Sequence, residues 1–189
     1  MRRRPRPDPV VVGPDGDRPD GDRYGGAMEP VRYVERLNTR YAKQGFPPYQ
    51  WTINETVSAT PLRVPLAEAR VATLTSGGVS RCAMAPWDPY ARNDFRLDVI
   101  DADAPTDDFQ VHDSYYDTAS AEVDLNCVFP LDRLRELAAE GVIGSLAPRQ
   151  WSGFMGRIYR RQYLIEEAAP AFAAELAADE VDLALLVPA

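Results

Sequence analysis

The chain has 189 residues, 45% of them hydrophobic, with a formal net charge of -8 and a pI near 4.7. That length suits a single domain with a sizeable core, and the acidic balance argues against a nucleic-acid partner, which must be met by Lys and Arg. Cys82 and Cys127 are the only cysteines, so there is no CxxC pair and no disulfide framework, and no apolar run approaches the roughly 20 residues that cross a bilayer. A reduced, cytoplasmic setting without membrane association is expected.

Residues 1–27 are rich in Pro, Gly, Asp and Arg and cannot bury enough apolar surface to offset ordering, so they read as a disordered arm. Arg2, Arg3, Arg4 and Arg6 open it like a signal peptide, but prolines and Asp8 follow where an apolar segment is needed. Met28 is an alternative start, leaving residues 28–189 as the folded domain. From Pro30 to Gln44, Val31, Val34, Leu37 and Tyr41 recur at helical spacing, and Gly45 stands where a C-terminal cap belongs. The Pro- and aromatic-rich stretch from Phe46 to Trp51 reads as an extended wrap, with a peptide-binding surface as the alternative.

Ala69 to Thr75 reads as a strand running into Ser76, Gly77 and Gly78. Such a turn can bring backbone N–H groups to a ligand, although GxGxxG spacing and a P-loop lysine are absent, and a tight turn with positive φ explains the glycines equally well. Between Arg96 and Arg133 there is no Lys or Arg while aspartates accumulate. The part through Asp108 contains Pro105 and no periodicity and is expected to be a solvated loop; Gln110 to Tyr116 is expected to form a short strand. Asp124, Leu125 and Asn126 alternate at strand spacing, which places Asp124 and Asn126 on one face.

Pro130 to Glu140 is a helix by its Leu131, Leu134, Leu137 spacing, closed by Gly141. Val142 to Ala147 returns to a strand pattern. Ile158 to Asp179 is helical, with Pro170 expected to kink or divide it. Val181 to Val187 reads as a buried terminal strand. Strands alternating with helices point to an α/β fold: a mostly parallel sheet with flanking helices in Rossmann-like layers, incomplete at the C-terminus.

Chemistry is restricted by a single histidine, His112, which excludes any site with two His ligands. His112 with Asp113, Asp117 and Asp124 could hold a divalent ion if the loop folds back, but acids in a loop are more often solvated, and no metal is expected. Ser76, Ser145 and Ser152 lack a GxSxG elbow. Cys127, just before the Pro130 helix, could be an activated thiolate or a buried inert thiol. His112, Asp117, Asp124 and Asn126 together make a candidate polar cluster at the mouth of the sheet, a purely structural network being the alternative.

Three segments carry a resemblance: His112-Asp113-Ser114-Tyr115-Tyr116-Asp117; Asp124-Leu125-Asn126-Cys127-Val128-Phe129-Pro130-Leu131-Asp132-Arg133-Leu134; and Glu140-Gly141-Val142-Ile143-Gly144-Ser145-Leu146-Ala147-Pro148-Arg149. In order and spacing they resemble the selenoprotein B family of glycine, sarcosine, betaine and D-proline reductases. Residues 61–79 resemble its first strand and glycine turn, and Phe154-Met155-Gly156 a later segment, so the resemblance covers about residues 30 to 189. Gln150 and Trp151 depart from it, standing where the family commonly has His and an aromatic. The resemblance implies reductive cleavage of a small amino-acid-like substrate, in which a selenol or thiol attacks carbon and a dithiol is the final reductant. It implies partner reductase subunits or a thiol donor protein; no cofactor is expected from the residues themselves. The redox residue is expected just beyond a strand like Val181 to Val187, so a UGA codon after Ala189 is the expectation. Site-lining residues are expected at Ser76, Gly77, Gly78, His112, Asp117, Asp124, Asn126 and Arg149. A non-catalytic binding or assembly module of the same fold is the alternative.

Overall fold

The computed structural model describes residues 32–49, 53, 55–56 and 60–189. The proposed arm, the alternative start at Met28 and the Pro30 helix entry lie outside them. The chain divides into two compact units, residues 1–58 and 59–189.

In the first unit, helix α1 spans Tyr33–Lys43. Gly45, at φ 75°, ends it: the N–H groups of Gln44 and Gly45 reach back to the carbonyls of Tyr41 and Ala42. Tyr41 then meets Phe46 and Tyr49 edge-on, each at 6.0 Å between ring centres, and Asn38 accepts a hydrogen bond from the Tyr49 N–H.

The second unit is built on strands β1 (Arg70–Thr75), β3 (Leu97–Asp101), β5 (Ser145–Leu146), β6 (Arg149–Gly153) and β7 (Leu183–Val187). Strand β1 is central. β7 runs parallel along one side of it, and β5 and β6 run parallel along the other; β3 closes the far side of β6 antiparallel, so the sheet is mixed rather than wholly parallel. A two-stranded ribbon joins β2 (Val79–Arg81) antiparallel to β4 (Phe109–Val111).

Successive side chains of β1 serve opposite faces. Val71 packs with Leu134 and Ile143 beneath helix α3 (Leu131–Ala139), whereas Ala72 packs with Trp151, Phe172 and Ala147 beneath α5 (Ala169–Ala178). The result is a helix–sheet–helix sandwich, the α/β class expected from the alternation of elements. A third cluster, around Val79, Ile100, Phe129 and Leu131, ties the ribbon to the base of α3 and to the short helix α2 (Ala119–Val123).

Several local expectations are corrected. The acidic stretch through Asp108 contains β3, whose Asp98 and Ile100 face inward while Val99 is 49% exposed. The strand expected to Tyr116 is the three residues of β4. Asp124 to Asn126 is not a strand: Leu125–Cys127 is a 3-10 turn that Asp124 caps through the Asn126 N–H. Of the strand expected at Val142 to Ala147 only the two residues of β5 form; β6, which was not expected, follows after Ala147 and Pro148, with Gln150, Trp151 and Ser152 wholly buried in it. Helix α4 (Arg161–Tyr163) continues through a π-helical stretch, Leu164–Ala168, into α5, which begins at the expected Pro170 interruption. β7 is an exposed edge, not a buried strand, with Leu186 60% exposed.

Candidate functional site

In open α/β sheets ligands bind beyond the carboxyl ends of the parallel strands. Here those ends release the Ser76–Gly78 turn after β1, residues 154–157 after β6, and Pro188 and Ala189 after β7. The β2–β4 ladder pairs Val79 with Val111, which sets His112 opposite Gly78, and the His112 N–H donates to the Gly78 carbonyl at 2.9 Å. Gly78 has φ 68°, and a Cβ there would run into the His112 carbonyl. Its glycine identity thus serves both a left-handed turn and a close backbone approach. Tyr116 completes the clamp: its hydroxyl donates to the Gly77 carbonyl at 2.8 Å. Burial, with the negative charges of Asp113, Cys127 and Glu122 adding to it, pushes this phenol up to about 12.

The remaining members come from further along the chain. The Met155 methyl lies against the Gly78 position, and Gly156 lies so close to the Tyr115 ring that a Cβ would overlap it. Arg157 places its guanidinium carbon 5.4 Å from the Tyr90 ring centre and 6.0 Å from that of Tyr115. Three buried polar atoms of this cluster have no hydrogen-bond partner: His112 Nδ1, Asp113 Oδ2 and Arg157 Nε. The tail of β7 runs past the same turn, with the Ser76 N–H donating to the Val187 carbonyl at 3.1 Å and the Ala189 N–H to Ser76 Oγ at 3.2 Å.

The other expected site residues lie apart from this cluster. No hydrogen bond or ion pair among the described residues joins His112 to Asp117, Asp124 or Asn126. Asp117 accepts from the Ala119 N–H at the start of α2. Asp124 and Asn126 line an acidic groove of about 450 Å³ with Asp107, Glu122 and Asp132. There Asn126 donates to Asp124 and Asp132, and its Oδ1 accepts from the Asp132 and Arg133 N–H groups at the start of α3. The Asn126 side chain and backbone hydrogen bonds hold the Asp124 carboxyl below its usual range. Burial works to raise Asp132, but hydrogen bonds from Thr106, Asn126 and Arg135 outweigh it and leave that carboxyl lowered too.

Arg149 stands at the amino end of β6, away from the turn, and chelates Asp179 through Nε and Nη2, both at 2.7 Å, with Glu175 on Nη1. These carboxylates hold its guanidinium pKa above the usual value. Cys127 is exposed rather than buried, as is Cys82. No group of three or more His, Cys, Asp or Glu side chains among the described residues is placed to hold a metal ion. No helix among them is long and apolar enough to cross a membrane.

Reading the sequence missed Tyr90, Met155 and Arg157, which come from loops without periodicity; Gly156 beside Met155 and the departure at Gln150 were the available signals. Gln150 is buried and structural, its Oε1 accepting from the Thr73 N–H at 2.6 Å and its Nε2 donating to the Ala147 carbonyl at 2.7 Å.

The fold is of the open α/β class, with polar loops gathered at the carboxyl edge of its parallel strands. The chain belongs to the glycine/sarcosine/betaine reductase selenoprotein B family, whose model matches residues 31–188. It is 36% identical over 159 residues to the D-proline reductase subunit gamma of Acetoanaerobium sticklandii, covering 84% of this chain and 61% of that relative. No solved structure matches the chain.

Proposed function

We propose that this chain is part of a reductase component that cleaves a small amino-acid-like substrate at the carboxyl edge of the sheet. A continuation past Ala189 supplies the selenol or thiol. In this reading the selenolate or thiolate attacks the substrate carbon and the C–N bond breaks. The amine leaves with the bonding pair and takes a proton. One thiol of a dithiol then attacks the sulfur or selenium and breaks its bond to carbon, which leaves with the bonding pair and takes a proton. The second thiol displaces the selenolate or thiolate, so the dithiol ends as a disulfide. Ser76, Gly77, Gly78 and His112 line the site, and the single histidine moves protons there.

The observation that carries this reading is the path of β7: Val187 and Ala189 are hydrogen-bonded to Ser76, so a residue following them emerges beside the glycine turn and His112. The test is to sequence past the Ala189 codon and assay the extended chain for dithiol-dependent turnover. A UGA codon with an in-frame continuation and a working extended chain is the expected result. A different stop, or an extended chain without turnover, overturns it.

The exposed apolar edge of β7 favours a second reading, a binding or assembly module that works through partner subunits. That module would bind its partner with no turnover in the presence of a dithiol donor.

A further inference from the structure

Most arginines of the second unit are accounted for by acids. Arg70 meets Glu180, Arg81 meets Asp108, Arg96 meets Asp98, Arg133 meets Glu136, Arg135 meets Asp132, and Arg149 meets Glu175 and Asp179. Arg63, Arg92, Arg160 and Arg161 have no ion pair but are exposed, so water solvates them. Arg157 alone among the described arginines is both partly buried and without an ion pair, and its Nε is buried without a hydrogen bond. Water is excluded from that atom and no acid replaces it, an arrangement that loses free energy unless something else arrives.

The surroundings hold the guanidinium in position. Arg157 has φ 61°, in the left-handed region. Asn93, itself at φ 53°, fixes that turn: its N–H donates to the Arg157 carbonyl at 3.1 Å, and its Oδ1 accepts from the N–H groups of Tyr159 and Arg160 at 2.7 and 2.9 Å. Non-glycine residues in this region carry backbone strain and persist where the surroundings over-determine them. The rings of Tyr90 and Tyr115 attract the cation through their faces, which uses none of its N–H donors. A planar fork with unused donors, held beside apolar surface, matches a carboxylate.

We propose that Arg157 is the carboxylate-receiving residue of the carboxyl-edge cluster, binding the acid group of a small amino-acid-like ligand. This rests on the reading of that edge as the substrate site and assigns the group that orients the ligand there. Arg149, engaged by two carboxylates at the other end of the sheet, does not compete for the role.

The test titrates the chain with D-proline, with pyrrolidine, which lacks the carboxylate, and with inorganic phosphate, while following the Arg157 Nε–H resonance and the dissociation constant. D-proline is expected to shift that resonance and pyrrolidine to leave it in place. Arg157→Gln is expected to weaken D-proline binding by about ten- to a hundredfold, Arg157→Lys to weaken it less, and Arg160→Gln to leave it unchanged. Circular dichroism identifies any variant that fails to fold, and the wild-type resonance then decides alone. No shift with D-proline, equal binding by folded Arg157→Gln, or phosphate binding as tightly as D-proline overturns the proposal. The two readings fail separately. D-proline bound through Arg157 by an extended chain without turnover sinks the reductase reading only; turnover in Arg157→Gln with unchanged KM sinks this assignment only.

Discussion

Tyr116 shows how one phenol can hold a turn in place. Its hydroxyl reaches the Gly77 carbonyl, a hydrogen bond between segments 39 residues apart in sequence, and its burial is what raises its pKa to about 12. A group whose folded pKa lies above its unfolded value near 10 contributes stability that is fully present below pH 10 and is lost as pH rises through about 12. Spectrophotometric titration should therefore show one tyrosine ionising well after the exposed ones, absent in Tyr116→Phe. That variant should lose about 1–2 kcal/mol, since it leaves the Gly77 carbonyl without its partner. A single tyrosine titration step near pH 10 in the folded chain would contradict the burial argument. The same reasoning explains why Asn126 looked functional in the sequence. Its amide contacts four groups around the start of α3, a capping duty that strand-like alternation with Asp124 disguised.

Elements with ordinary periodicity were legible: α1, β1 and α3 lie where their apolar spacing put them, and Gly45, Gly78 and Gly141 take the positive φ their positions required. β3 was hidden because its alternation is inverted at an acid. Asp98 is 4% exposed and pairs with Arg96 through two bonds of 2.6 Å, while the Arg96 guanidinium lies 4.2 Å from the Trp87 ring centre. The Asp98 hydrogen bond raises the Arg96 pKa against the opposing effect of burial. An aspartate read as solvated surface is in fact half of an inward-facing pair, and only tertiary contact reveals that. Asp98→Ala should lose about 2–3 kcal/mol in urea denaturation, at or below the low end of the roughly 3–5 kcal/mol for breaking a buried pair, because Arg96 retains some access to water. Adding Arg96→Met should restore part of the loss; a single-variant loss under about 0.5 kcal/mol would show that the pair holds nothing together. Of the residues read as site-lining in the sequence, the cluster at the carboxyl edge brings together only the Ser76–Gly78 turn and His112. Arg157 carries no local pattern, since its role depends on Asn93 and two tyrosines brought from elsewhere.

Across the second unit, polarity is arranged along the strands. The amino ends carry the ion pairs of Arg70 and Arg149 with Glu175, Asp179 and Glu180, and the loops beyond the carboxyl ends carry the orphaned His112 Nδ1, Asp113 Oδ2 and Arg157 Nε. At right angles to this, no strand among the described residues pairs with the outer side of β7, where Leu183 and Leu185 are each 39% exposed beside the more open Leu186. An apolar strand with one unpaired edge is a template for another chain, and the net charge of -8 opposes that approach at long range. Sedimentation velocity should show association that grows with protein concentration and with salt, which screens the repulsion. Leu186→Lys should suppress it; a chain that stays monomeric at high salt would remove β7 as an association surface.

The short connection around Gln150 has a bearing on tolerance to change. Pairing along β1 passes from Arg70 with Ser145 to Leu74 with Trp151, a slip of two residues, and the Gln150 amide fills the missing rung at Thr73. A side chain thus stands in for a peptide group, decoupling the register of the two halves of the sheet. Change is tolerated least at Gly144, where a Cβ would meet the Glu68 backbone and the N–H is held by the Ala69 carbonyl, whereas Trp151 and Ser152, and the loop they launch, take their alignment from the Thr73 rung.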